Sequence, residues 1–201
     1  MVTAPIAAGV LTGGEHELTA TFTPTTASFA ASSTVAPFGV EIAAAATTTS
    51  LAASADHAAF GEQVTLTATV TGPGLGGAGA QTVAFAAGSR ALGTATTSPC
   101  GGDPNCAVAT LIVDAETVGL GAVDLTASLE ASPNYAASRG EIAGYAVAKA
   151  TPTVTMQAPG ALFYQDHDQI SVHIEAAGYL PADGAEVVLE ARAAGGAPIP
   201  L

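Results

Sequence analysis

Apolar and polar residues alternate with a period of two through much of the chain. Val64, Leu66, Ala68 and Val70 alternate with Thr65, Thr67 and Thr69. Val123, Leu125, Ala127 and Leu129 alternate with Asp124, Thr126, Ser128 and Glu130. Successive side chains of a strand point to opposite faces, so each segment buries one face and wets the other. Thr is β-branched and suits the outer face of a strand. The pattern predicts seven strands, at about 48–54, 63–71, 81–87, 90–97, 107–113, 122–131 and 141–149. Gly88-Ser89 joins the third and fourth as a tight hairpin. Gly72-Pro73-Gly74, with Gly76, Gly77 and Gly79 behind it, punctuates a flexible loop between the second and third. Helix competes at 43–59, since Ala is the best helix former. That stretch lacks apolar residues at three- and four-residue spacing, and Thr47-Thr48-Thr49 interrupts it. An all-β chain is expected.

The pattern repeats. Leu18-Thr19-Ala20-Thr21-Phe22 is matched by Leu125-Thr126-Ala127-Ser128-Leu129, and Phe29-Ala30-Ala31-Ser32 by Tyr135-Ala136-Ala137-Ser138. Thr47-Thr48-Thr49-Ser50-Leu51 is matched by Thr151-Pro152-Thr153-Val154-Thr155, and Val64-Thr65-Leu66-Thr67 by Ile170-Ser171-Val172-His173. All four pairs lie about 105 residues apart, close to the length of one immunoglobulin-type sandwich. If a unit begins near Thr47, it ends near Lys149. Residues 47–149 are then expected to hold one complete sandwich, 1–46 the C-terminal half of a preceding unit, and 151–201 the N-terminal half of a following one. Both ends of the sequence are expected to fall inside units. Met1-Val2-Thr3-Ala4-Pro5 carries no basic segment of the kind that opens a secretory leader.

Composition narrows the function. The chain has 47 Ala, 25 Thr, no Trp and only four Lys and Arg. Mean hydropathy is positive, but a spanning helix needs about 20 nearly unbroken apolar residues. The longest apolar runs here are short, such as 43–46, so no membrane insertion is expected. The net charge of −13 argues against nucleic acid, which requires a basic footprint. The acidity keeps an Ala-rich surface soluble, with divalent-cation binding as the alternative.

Several segments resemble bacterial immunoglobulin-like tandem repeats. Gly13-Gly14-Glu15-His16-Glu17-Leu18-Thr19-Ala20-Thr21-Phe22-Thr23-Pro24 is similar to one of their strand motifs. Phe60-Gly61-Glu62-Gln63-Val64-Thr65-Leu66-Thr67-Ala68-Thr69-Val70 is similar to another. Leu92-Gly93-Thr94-Ala95 resembles their step after a hairpin, and Ala148-Lys149-Ala150-Thr151-Pro152-Thr153-Val154 their joint between repeats. The chain departs from that pattern at Leu129, where many members have Tyr, and in an insertion at 98–106. The resemblance implies tandem sandwiches in large extracellular or cell-surface proteins, often adhesin stalks. It carries no catalytic residues.

The insertion holds the two cysteines, in Cys100-Gly101-Gly102-Asp103-Pro104-Asn105-Cys106. Structural zinc wants four Cys or His ligands, so the pair alone does not form such a site. The intervening turn formers let the sulfurs meet, and a disulfide is favoured over a reduced surface pair. Loop entropy gives such a clamp about 2.4 kcal/mol, and its persistence marks an oxidising compartment.

Other motifs have plain readings. Gly74-Leu75-Gly76-Gly77-Ala78-Gly79 satisfies a dinucleotide pattern but precedes a strand, where a helix is required. Asp166-His167-Asp168 and the pair Asp103 and Asn105 invite calcium, yet neither supplies the six to eight oxygens it prefers. His16, His57, His167 and His173 are scattered, and no nucleophile motif accompanies them. Arg139-Gly140-Glu141 reads as a turn. The expectation is a non-catalytic spacer with no cofactor, whose partners are neighbouring repeats, with a surface glycan or protein as a further candidate. The alternatives are a ligand- or calcium-binding module and an accessory domain of a secreted hydrolase.

Overall fold

A computed structural model describes residues 3–158, 160, 169–176, 186–192 and 199–200. The chain is all-β, with about 55 % of the described residues in strands and 4 % in helix. The N-terminal segment carries β1 (Gly14–Leu18), β2 (Thr21–Phe22), β3 (Ser32–Ser33) and β4 (Phe38–Ile42). There β1 pairs with β4, and β2 with β3. The middle carries β5 (Thr48–Ala53), β6 (His57–Ala59), β7 (Gln63–Thr71), β8 (Thr82–Ala87), β9 (Arg90–Thr96), β10 (Ser98–Cys100), β11 (Asp103–Asp114), β12 (Gly121–Leu129) and β13 (Ser138–Ala148). A single turn of helix, α1 (Ala115–Val118), links β11 to β12. Beyond lie β14 (Thr153–Gln157), β15 (Ser171–Glu175), β16 (Glu190–Ala191) and β17 (Ile199–Pro200), with β14 paired to β15 and β16 to β17.

The nine middle strands form two sheets. One has the order β10-β11-β7-β5, the other β6-β13-β12-β8-β9. All pairings are antiparallel except β6 on β13. The alternation explains the packing. Val64, Leu66, Ala68 and Val70 of β7 are buried, as are Leu125, Ala127 and Leu129 of β12. They meet Val83, Phe85, Tyr145 and Val147 in one apolar core between the sheets. The seven strands expected from the alternation are all present. The short edge strands β6 and β10 add to them. No helix occupies 43–59, where β5 and β6 lie.

One reading of local sequence is corrected. Arg139-Gly140-Glu141 is not a turn but part of β13, with Gly140 opposite Ala127. Gly140 is there for a close approach. A Cβ on it would lie 2.9 Å from the backbone of Thr49, Ser50 and Leu51 on β5. The glycine-rich loop carries one element that the sequence reading did not include. Leu75 opens a short 3-10 turn (Leu75–Gly77) and is 1 % exposed, anchored in the core.

The threonine run has a structural use. The Thr48 hydroxyl lies 2.6 Å from that of Thr71 on β7. On the other face, the hydroxyls of Thr47 and Thr49 both lie 2.7 Å from Ser138 Oγ on β13. Alternation along β5 thus ties it to its own sheet on one side and to the facing sheet on the other.

Candidate functional site

The built-up region of the molecule is the end where β5 and β13 begin and β7 and β12 end. Three loops meet there, and the N-terminal segment is seated against them. Ala45 bridges to Tyr135 in parallel fashion. The Ala45 N–H donates to the Asn134 carbonyl (2.8 Å), and the Ala136 N–H donates back to the Ala45 carbonyl (2.9 Å). A second tie lies farther out, where the Gly13 N–H donates to Asn134 Oδ1 at 2.7 Å. Gly13 also needs to be glycine, since a Cβ would collide with the Pro133 carbonyl.

The disulfide supports this joint from behind. Cys100 and Cys106 are bonded, with S–S 2.06 Å and Cα atoms 5.3 Å apart. The bond closes the β10–β11 hairpin, and Asp103 Oδ1 inside the ring accepts the Asn105 N–H at 2.8 Å. Asn105 in turn holds the glycine loop. Its Oδ1 accepts from the Gly74 N–H and its carbonyl from the Gly72 N–H, both at 2.9 Å. Between those two glycines, the Pro73 carbonyl accepts the Tyr135 hydroxyl at 3.3 Å. Tyr135 is the residue that Ala45 bridges. A continuous set of contacts therefore runs from the disulfide ring through the glycine loop to the joint. Gly76 makes it possible, because a Cβ there would lie 2.6 Å from the Asp103 carbonyl oxygen.

A cleft of about 640 Å³ opens beside the joint, lined in part by Leu11, Ile42, Ala45, Pro73, Asn134 and Tyr135. Tyr135 is its one titratable side chain, and that hydroxyl is engaged. The cleft presents apolar surface, backbone groups and the side chains of Thr12 and Asn134.

The histidines are not brought together. His16 Nε2 lies 2.7 Å from the Thr12 carbonyl oxygen. His57 opens β6 at the other end of β13, opposite Ala146. His173 on β15 lies 3.9 Å from the Glu175 carboxylate, both exposed. His167 and the whole Asp166-His167-Asp168 cluster lie outside the described residues. Among the described residues, no three His, Cys, Asp or Glu side chains are gathered as a metal would need. Asp103 is bonded within its own loop and Asn105 to the glycine loop. Among the described residues, no helix is long and apolar enough to cross a membrane.

One buried polar group stands apart from the joint. Tyr145 is the largest fully buried side chain, and its hydroxyl has no hydrogen-bond partner among the described residues. Burial, reinforced by the carboxylates of Glu62 and Asp56, pushes its phenol above the usual tyrosine range. Composition alone does not flag this group. The joint was equally hidden, because Gly13 and Asn134 are 121 positions apart.

No family model matches the chain, and no curated protein matches it in sequence.

Proposed function

We propose that this chain is a non-catalytic spacer from a bacterial cell-surface or secreted protein, of the adhesin-stalk kind, built from immunoglobulin-like sandwich units. On this reading 47–149 is one complete unit, 1–46 the second half of a unit before it, and 151–201 the first half of one after it. The joint carries the reading. Ala45 and Gly13 bond to one end of the middle strands, and β14 leaves from the other, so consecutive units are strung along the direction of β13. Two facing sheets, with a short edge strand parallel to the last strand, are the arrangement expected of such a sandwich. The disulfide fits an extracellular setting, where such bonds persist.

Pulling the chain from its two ends tests the load-bearing role. A spacer unit at 47–149 yields one cooperative rupture with a gain of roughly 300 Å, its extended length less the disulfide ring and the folded span. Gradual extension without a rupture would refute the reading. The second reading, a binding module, draws on the ring at 98–106. It is held in one conformation by the disulfide and Asn105, with Gly101 and Gly102 exposed at its tip. A melting temperature unmoved between millimolar calcium and chelator would exclude the calcium form of that reading.

A further inference from the structure

The glycine loop at 72–79 touches both sides of the joint. On one side, Gly72 packs on the two residues that follow Ala45. A Cβ on Gly72 would lie 3.0 Å from Thr47 Cγ2 and 3.3 Å from the Ala46 carbonyl oxygen. On the other side, the Pro73 carbonyl accepts the Tyr135 hydroxyl at 3.3 Å, and Tyr135 is the residue that Ala45 bridges. Whatever holds this loop therefore holds the joint.

The loop does not hold itself. Gly72, Gly74, Gly76, Gly77 and Gly79 make up most of it. Glycine loses more conformational freedom on ordering than any other residue, so a loop of this composition is placed by contacts from outside. One is the burial of Leu75 in the core. The others come from the ring. Asn105 accepts the Gly74 N–H on its Oδ1 and the Gly72 N–H on its carbonyl, both at 2.9 Å.

The position of Asn105 rests in turn on closure of the ring. Asn105 stands one residue beyond the last pair of the β11–β7 ladder, Cys106 with Thr71. Toward β10 the register slips between Pro99 and Cys100, and the pairing passes from Ala107 to Asp103, leaving out residues 104–106. What fixes Asn105 is Cys106 beside it, bonded to Cys100, and Asp103 Oδ1, which accepts its N–H inside the ring.

We infer that the Cys100–Cys106 bond is a redox-sensitive control on the joint. Closed, it locks the N-terminal segment against the middle strands. Reduced by a dithiol, it releases the glycine loop and lets that segment move, while the middle strands stay folded. The bond is open to attack at one end. Cys100 is half-buried with Gly101 and Gly102 exposed beside it, whereas Cys106 is 8 % exposed. A thiolate of the dithiol attacks Cys100 Sγ, and the S–S bond breaks with its electron pair leaving on Cys106 Sγ. The second thiolate of the reductant then displaces Cys100 Sγ from the mixed disulfide. Two electrons pass to the chain. The reductant ends as a disulfide, and its two protons end on Cys100 and Cys106 as thiols. The apolar core of Leu66, Phe85, Leu125 and Tyr145 contains neither sulfur, so the sheets keep their packing. The inference needs only the ring, the loop and the joint, and it does not rest on the spacer reading.

Amide hydrogen exchange of the intact 201-residue chain, with and without excess dithiothreitol, tests it. Reduction speeds exchange at the Ala45 and Ala136 N–H groups about tenfold, roughly the restraint of one hydrogen bond. The amides of Leu66 and Leu125 stay protected, since they open only with the sandwich as a whole. Asn105→Ala breaks the tie from the ring to Gly74 while the disulfide stays closed. In that variant Ala45 and Ala136 already exchange faster than in the oxidised wild type, and reduction adds at most about threefold, because the two changes cut one route. Unchanged exchange at Ala45 and Ala136 on reduction of the wild type overturns the inference. A response in Asn105→Ala as large as in the wild type also overturns it, because the ring then acts on the joint by another path. Loss of protection at Leu66 and Leu125 together with the joint overturns it too, since the bond would then hold the sandwich and not the joint.

Discussion

Replacing Gly140 by Ala probes a close approach between the two sheets. The added Cβ falls 2.9 Å from Leu51 N, Ser50 C and Thr49 O. Ordinary contact for a carbon is about 3.5 Å or more, so β5 and β13 must part by about 0.6 Å. All three obstructing atoms are backbone, and no flexible side-chain end can swing aside. The displacement also loads the hydroxyl contacts of Thr47 and Thr49 with Ser138 and moves Leu51, which packs against the core. Overpacking of this kind costs about 1–3 kcal/mol. A Gly-to-Ala change returns about 0.4–1 kcal/mol by restricting the unfolded chain. The net is a loss of about 1–2 kcal/mol, which for a domain near 100 residues lowers the melting temperature by roughly 5–15 °C. Urea unfolding followed by circular dichroism reads it as a lower midpoint with an unchanged slope. Gly77→Ala is the internal control. It has open space around its Cβ position and no positive φ, so stability holds or rises by up to about 1 kcal/mol. An unchanged or higher midpoint for Gly140→Ala would refute the steric account.

Two further outcomes follow from the same contacts. Replacing both Cys100 and Cys106 by Ser lowers stability by about 2 kcal/mol. Hydrogen exchange then speeds first at Gly72 and Gly74, whose N–H groups Asn105 holds; equal exchange before and after would show that the ring does not support the glycine loop. Tyr145→Phe removes a buried hydroxyl without a partner and leaves the protein as stable or more stable by about 1 kcal/mol at neutral pH. The folded phenol is pushed above its unfolded value, so the folded state keeps its proton where the unfolded state has lost it. Stability therefore falls as pH rises past about 10. The phenylalanine variant loses that part of the alkaline slope; identical urea midpoints for the two proteins at pH 7 and at pH 11 would contradict this.

The long strands were legible because their burial is one-sided and their period survives for eight or nine residues, as in β7 and β12. The disulfide was legible because five turn formers separate its cysteines. What was hidden depends on contacts between distant positions. β6 is three residues long and pairs in parallel with the end of β13, leaving no alternation to read. Gly140 looked like turn punctuation, yet its role is a close approach to β5, which no local pattern encodes. The joint depends on Gly13 and Asn134, and each reads alone as an ordinary loop residue.

The joint is bonded through Ala45, Asn134 and Ala136 and, farther out, through Gly13, and the cleft opens beside these bonds. Its resistance to bending is therefore unequal by direction. Flexing toward the cleft closes empty space and stretches nothing, whereas flexing away strains backbone hydrogen bonds at once. In a tandem spacer of the kind proposed, a row of such joints would not behave as a uniformly flexible string. It would have a preferred plane of curvature, fixed by the side on which Ala45 meets Asn134 and Ala136, and would stiffen when pushed the other way.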